Sequence, residues 1–323
     1  MCFFTWCNNY NWDISSKFRI ASVTSVADSE ISFSFDADWG NDDAWAPITY
    51  DYVSFNDRQR KTFNREIRLI SKEAGRIFNG TTDWLLGFYI NDLEEDLTTI
   101  NQGQYFDPGF NWTDVLYDRV DSDFEAMSQA VFGQLELQIT KADKLTIGTR
   151  IERREVEYND TNGLHLWPKE SMVGGEFSYT HTFADDSTGF VSLSRGYKGG
   201  GFNLGFVPSG RREYDPESMW TAEIGLKTWL LEDSLYASTA LFYSLRQDQQ
   251  VETSFQMDPN DPASFVFFTD NAAEGRNFGF EADLRWFPSD ELEIYVNLGL
   301  PNARFDEFVT PQIDASGRGQ AHA

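Results

Sequence analysis

Apolar and polar side chains alternate along most of this chain, most cleanly in its second half. From Phe278 to Trp286 the even positions Phe278, Phe280, Ala282, Leu284 and Trp286 are apolar, while Gly279, Glu281, Asp283 and Arg285 between them are not. Leu292, Ile294, Val296, Leu298 and Leu300 repeat the pattern against Glu291, Glu293, Tyr295, Asn297 and Gly299. Earlier, Val131, Leu135, Leu137 and Ile139 alternate with Phe132, Gln134, Glu136 and Gln138, and Leu145, Ile147 and Ile151 with Thr146, Gly148, Arg150 and Glu152. A period of two sends successive side chains to opposite faces of a strand, so each run is a strand with one apolar and one charged face.

Read this way, the chain predicts strands at 17–26, 29–36, 64–71, 83–92, 127–140, 144–156, 171–183, 188–199, 217–231, 235–249, 275–287 and 291–304, with no amphipathic helix between them. The connections alternate in length. Short turns rich in Asp or Glu fall at 141–144, 183–187, 231–234 and 288–291; long polar segments fall at 38–63, 93–126, 157–170, 200–216 and 250–274. Tight hairpins on one edge of a sheet and large loops on the other are the wiring of an outer-membrane barrel. Several strands also reach the 9 to 11 residues or so that a tilted strand needs to cross hydrocarbon.

If the apolar set meets lipid, then Glu66, Arg68, Arg150, Glu152, Glu223, Lys227, Glu281, Asp283 and Arg285 face an aqueous lumen. Trp84, Tyr197, Trp220, Trp229, Trp286 and Phe287, near strand ends, are then candidates for the interfacial aromatic girdles. A soluble β-sandwich would use the same charges as its solvated face and the same aromatics as its core. Strand length and loop asymmetry together favour the barrel.

Composition narrows the classes further. Aromatic residues make up 16% of the 323 residues, which excludes a disordered acidic chain despite a formal charge of −26. Mean hydropathy is −0.47, and no apolar run is long enough for a membrane helix. With 52 acidic against 26 basic side chains there is no basic footprint for nucleic acid. Two cysteines, Cys2 and Cys7, make neither a disulfide framework nor a metal site. The opening residues lack the pattern of a secretory signal, so an exported protein of this kind is expected to have sequence upstream.

Chemistry is sparse. His165, His181 and His322 show no ligand spacing, and the acidic run Asp36–Asp43 places its glycine and Pro47 wrongly for a calcium loop. No nucleophile elbow, P-loop or dinucleotide fingerprint occurs, so neither an enzyme nor a bound cofactor is expected.

One stretch resists a packing explanation: Ser194–Asn203, SRGYKGGGFN, with three consecutive glycines. Glycine is unfavourable inside regular elements. Ser194, Gly196, Tyr197, Lys198, Gly200, Gly201, Phe202 and Asn203, followed by Tyr214, Asp215, Pro216 and Glu217, closely resemble a motif of the TonB-dependent receptors of Gram-negative outer membranes. Thr221–Lys227, Leu241–Gln250, Asn271–Glu281, Asn64–Ser71 and Trp84–Ile90 are similar to the same family, so the likeness runs from about Phe18 to Ala323.

The resemblance implies an all-β, antiparallel transmembrane β-barrel. About twelve strands of the roughly 22 used by plugged transporters are expected here. The expected division is an unassigned segment 1–16 and a partial barrel domain 17–323, without the family's plug domain and TonB-contacting box. It implies energised import across the outer membrane. A scarce ligand, most often a ferric siderophore, binds loops and plug, and the TonB–ExbB–ExbD complex pulls on the plug; iron enters only within the transported chelate. Outer-membrane lipid and lipopolysaccharide surround the wall. Planar or anionic chelates would be met by loop residues Tyr105, Phe106, Trp112, Trp167, Phe202, Phe206, Arg211 and Arg212. A passive porin and a soluble β-rich carbohydrate-binding module are the competing classes.

Overall fold

The computed structural model of the chain describes residues 2–38, 40–41, 43–184, 187–205, 207, 210–256, 265–308, 312–313 and 319–320. Phe206 and His322, named above, and Trp39 and Asp42 within the acidic run 36–43 lie outside the described residues. The strands are β1 (Cys2–Asp13), β2 (Phe18–Asp36), β3 (Thr49–Ser71), β4 (Thr82–Asp107), β5 (Trp112–Gln138) and β6 (Asp143–Asp160). They continue as β7 (His165–Leu166), β8 (Lys169–Ala184), β9 (Ser187–Lys198), β10 (Gly201–Phe202), β11 (Glu213–Tyr214) and β12 (Glu217–Leu230). The last are β13 (Leu235–Gln256), β14 (Phe265–Ser289), β15 (Leu292–Phe308), β16 (Gln312–Ile313) and β17 (Gly319–Gln320). One antiparallel sheet runs β1-β2-β3-β4-β5-β6-β8-β9-β12-β13-β14-β15, each strand beside its predecessor on this path, with β7 paired to β6.

Three expectations are corrected by this register. The strands predicted at 17–26 and 29–36 are one strand, β2, paired without a break to β3 from Phe18–Ser71 to Asp36–Val53. Residues 2–13, given no element by their sequence, form β1 on the edge of β2. The segments 38–63 and 93–126, expected as loops, are largely strand: β3 starts at Thr49, and β4 and β5 stay paired from Thr82–Leu137 out to Asp107–Trp112. Beyond the lipid both faces of a hairpin meet water, so the apolar alternation that marks a strand vanishes while the backbone ladder persists.

Directly paired residues share a face, so the ladders test the parity argument. One line joins Leu137, Leu145, Tyr179, Val191, Ile224, Leu241, Phe280 and Leu300 across eight strands. Another joins Ile67, Phe88, Val131, Ile151 and Val173. These side chains meet no second layer: Ile151 is 59% exposed, Ile224 56% and Leu241 56%. The total accessible surface, 20950 Å², exceeds the roughly 13,600 Å² that a compact monomer of this mass would show.

The apolar band also shifts along the strands. On β5 it runs from Val131 to Leu137, and on β14 from Phe278 to Trp286, yet the ladder line through Leu137, at the band's turn end on β5, reaches Phe280, near its loop end on β14. That stagger is the shear of strands tilted across a barrel wall.

The opposite face is polar. Glu66 pairs with Tyr89, Glu152 with Ala130, Lys227 with Ser238, and Ser238 with Asp283, all on the face opposed to the band. Two further two-stranded pairings lie outside this sheet: β10 pairs β11, and β16 pairs β17. Among the predicted girdle residues, Trp220 and Trp286 lie on the apolar ladder lines. Trp84 lies there too, opposite Leu135, with its indole N–H donated to the Gly75 carbonyl (3.1 Å). Trp229 does not. It pairs with Tyr236, and Tyr236 with Arg285, on the polar face, and its ring stacks on Phe287 at 6.2 Å. Tyr197 also serves the polar face, as its contacts show.

Candidate functional site

At mid-wall on the polar face, charge and aromatic rings interleave. The Arg150 guanidinium donates to Glu152 (2.7 and 2.9 Å) and to the Tyr197 hydroxyl (3.1 Å), and Tyr197 donates to Glu152 (2.9 Å). The same guanidinium lies 4.8 Å from the centre of the Tyr89 ring and 5.8 Å from that of Phe132, which faces Arg68 at 5.9 Å. A buried apolar core would not tolerate this set. It suits an aqueous bore, where each pair is partly hydrated and individually weak.

The glycine run sits just above this cluster, and its contacts explain it. Gly200 donates its N–H to Glu170 (2.8 Å), and Arg154 bridges Glu170 (3.0 Å) to the Gly200 carbonyl (2.9 Å). Gln250 on β13 donates to the carbonyls of Gly199 (2.8 Å) and Asp215 (3.1 Å). A Cβ on Gly200 would lie 2.4 Å from the Tyr214 carbonyl oxygen, and one on Gly201 2.4 Å from the Tyr214 hydroxyl. The run is therefore a place of close backbone approach, which only glycine permits.

The remaining motif residues finish the clasp. Glu217 takes the Arg246 guanidinium (Nε at 2.8 Å) and the Gln250 N–H (3.0 Å). Asp215 exchanges hydrogen bonds with Asn271 (2.6 and 2.9 Å), whose side-chain amide also donates to the carbonyl of Asp248 (2.7 Å), a residue at φ 53° where β13 bulges. A cavity of about 680 Å³ remains between clasp and wall, lined by Glu152, Arg154, Tyr197, Lys198, Tyr214 and Glu252.

A third feature lies at the long-hairpin end. Tyr50 pairs with Tyr105 across β3 and β4, and the rings of Trp45, Tyr50, Tyr105 and Trp112 follow one another at 5.6, 6.3 and 5.4 Å, with Tyr52 stacked on Tyr50 at 6.0 Å. Tyr50 has the parity of Arg68 along β3, whose register shows no break, so the ladder of rings faces the bore side. Burial, then the Asp38 carboxylate, pushes the Tyr50 phenol up; burial, then Tyr50 and Asp118, does the same to Tyr52. Both phenols stay protonated and able to donate.

The residues expected to meet a ligand thus divide. Tyr105 and Trp112 come together in this ladder, whereas Phe106 pairs with Thr113 on the other face. Trp167 is exposed and packs on His165 at 4.7 Å. Phe202 packs on Tyr158 (5.2 Å) and Phe124 (6.2 Å). Arg211 pairs with Asp270, and Arg212 donates to the carbonyls of Asn203 (2.7 Å) and Gly205 (3.0 Å). Trp45, Tyr50 and Tyr52 were missed, although the alternation of TYDYVSF (Thr49–Phe55) marks that segment as strand and its tyrosines as one face. Among the described residues no group of three or more His, Cys, Asp or Glu side chains is placed to hold a metal ion.

The sequence pattern of the TonB dependent receptor-like β-barrel matches residues 4–318. The chain belongs to the TonB-dependent receptor family. Its wall is thus a partial barrel of a TonB-dependent receptor of the Gram-negative outer membrane, and it belongs to a family of transporters, not enzymes. Similar solved structures include the ferric yersiniabactin uptake receptor FyuA of Yersinia pestis, at 16% identity and a TM-score of 0.69 over 95% of this chain and 43% of that one. The ferric-catecholate import receptor Fiu of E. coli K12, in its closed form, is 14% identical with a TM-score of 0.64, over 98% and 49%. The siderophore receptor PiuA of Acinetobacter baumannii is 16% identical with a TM-score of 0.64, over 99% and 49%. At these identities the likeness is one of fold. The chain spans less than half the length of each of the three. A porin and a soluble carbohydrate-binding module are set aside by the family.

Proposed function

We propose that this TonB-dependent receptor wall belongs to an active importer that captures a scarce extracellular ligand, a ferric siderophore by class, and passes it through the bore. The energy would be proton-motive force transmitted by the TonB–ExbB–ExbD complex to a plug seated inside the wall. The observation that carries the reading is the ring ladder Trp45–Tyr50–Tyr105–Trp112, bore-facing and beyond the lipid band, where planar chelates can stack. The solved receptors of similar fold for uptake of ferric yersiniabactin and import of ferric catecholates support this class of ligand.

The test is uptake of iron-55-labelled siderophores by cells whose only such receptor carries this chain, with and without a protonophore. Uptake abolished by the protonophore is the expected result. Uptake that persists unchanged without proton-motive force, or no uptake of any ferric chelate together with no rise in expression on iron starvation, would overturn it.

A further inference from the structure

The lipid-facing side of the wall is not uniformly flat. Starting beside the tight turn after β8, it holds an apolar groove of about 440 Å³ that runs from Phe183 of β8 to Phe280 of β14 and is lined between them by Gly189, Val191, Ile224 and Leu241. Gly189 shapes it, because a Cβ there would lie 2.8 Å from the Phe183 ring. The groove ends in a polar group. His181 Nδ1 lies 2.6 Å from Asp143 Oδ1, the Tyr179 hydroxyl donates to the same oxygen at 2.6 Å, and the His181 ring meets Phe183 edge-on at 4.7 Å.

Short turns of such barrels lie on the periplasmic side, so this polar end falls at the periplasmic interface, and the groove rises from it into the hydrocarbon across the tilted strands to Phe280. Water cannot fill an apolar groove there, and the volume is in the range of small-molecule sites. We propose that the groove is a phospholipid site, which takes one acyl chain of a periplasmic-leaflet aminophospholipid, with the headgroup phosphate at His181 and the ammonium at Asp143.

The chemistry is complementary at both ends. With Nδ1 committed to Asp143, Nε2 is the ring nitrogen left to face a phosphate, and it donates there as the imidazolium, in which both ring nitrogens carry N–H; the carboxylate offers its charge to a primary ammonium. Inside hydrocarbon, expulsion of water gives no driving force between apolar groups; packing and the polar pairing must hold the lipid. The inference rests on the membrane location alone and does not depend on which ligand is imported.

The receptor carrying this chain would be placed in nanodiscs of equal phosphatidylethanolamine and phosphatidylglycerol and released into native mass spectrometry. The expected result is one retained lipid per chain, enriched in phosphatidylethanolamine. Thr239→Trp, which fills the groove from β13, should lower retention about tenfold, equivalent to about 1.4 kcal/mol. Val191→Phe fills it from β9 and replaces that variant if the tryptophan blocks insertion; Thr239→Val leaves it open and should retain lipid as the wild type does. His181→Ala or Asp143→Asn should keep an adduct but lose the headgroup preference. Retention untouched by both filling variants, a wild type without headgroup preference, or a second receptor copy in place of the lipid would each overturn the proposal.

Discussion

Asn203 and Thr269 exchange hydrogen bonds as two paired strand residues would: the Asn203 amide donates to the Thr269 carbonyl (2.8 Å), and Thr269 N–H returns one to Asn203 Oδ1 (2.7 Å). The same amide donates to the Arg211 carbonyl (2.7 Å), so one side chain joins both limbs of the 203–212 excursion to β14. Asn203→Ala leaves these groups half-buried and unpaired, at a cost of about 1–3 kcal/mol. The expected outcome is faster proteolytic nicking between residues 203 and 216 with the barrel band intact, read by limited proteolysis in detergent. Unchanged cleavage would contradict the clasp.

The glycine run supports a paired test. Gly200→Ala drives a methyl group to within 2.4 Å of a backbone oxygen, whereas a Cβ on Gly196 meets nothing within 4 Å. Gly200→Ala should therefore destabilise by about 1–3 kcal/mol, as overpacking does, while Gly196→Ala stays within about 0.5 kcal/mol. Thermal melts of the folded receptor measure both, and equal effects would refute the close-approach explanation.

At the opposite end of the wall, Thr140, Tyr179 and His181 hydrogen-bond the Asp143 carboxylate and hold it well below the usual carboxylate range. A carboxyl depressed on folding contributes stability above its ordinary value of 3.8 and loses that contribution as pH falls toward the folded value. Hydrogen exchange at Ala142–Lys144 should stay slow near neutrality and quicken below about pH 4. In Asp143→Asn it should be fast and insensitive to pH over that window. A wild-type turn whose exchange is flat from pH 6 to about 2, after correction for intrinsic rates, would remove the carboxylate from this role.

The ring ladder predicts a binding effect. Tyr105→Ala removes contacts to both Tyr50 and Trp112 and should weaken capture of a planar chelate by about 0.5–1.5 kcal/mol or more, a few-fold to tenfold in affinity. Phe106→Ala, on the other face, should leave capture unchanged. Tryptophan quenching titrations distinguish the two, and parity between them would count against ligand contact at the ladder.

Much of the wall was legible before any coordinates. Period-two alternation named the faces, and Glu66, Arg150, Glu152, Lys227 and Asp283 lie on the one it assigned them. It worked because lipid imposes a rule on every second residue. The rule ends where the strand leaves the membrane, so apolar alternation does not mark β1 or the outer halves of β4 and β5, and at the start of β3 only the tyrosine alternation of Thr49–Phe55 shows the strand. Position near a strand end misplaced Trp229, whose parity, that of Glu223 and Lys227, puts it on the polar face.

The sequence by itself determined the alternation, the short and long connections and the glycine motif, since each is fixed by neighbours a few residues apart. Only the tertiary structure decided what those glycines approach and that Arg211 and Arg212 hold the loop. It alone joined Trp45, Tyr50, Tyr105 and Trp112 into one row of rings. Those contacts span tens of residues, and the register between strands, which no local pattern encodes, sets them.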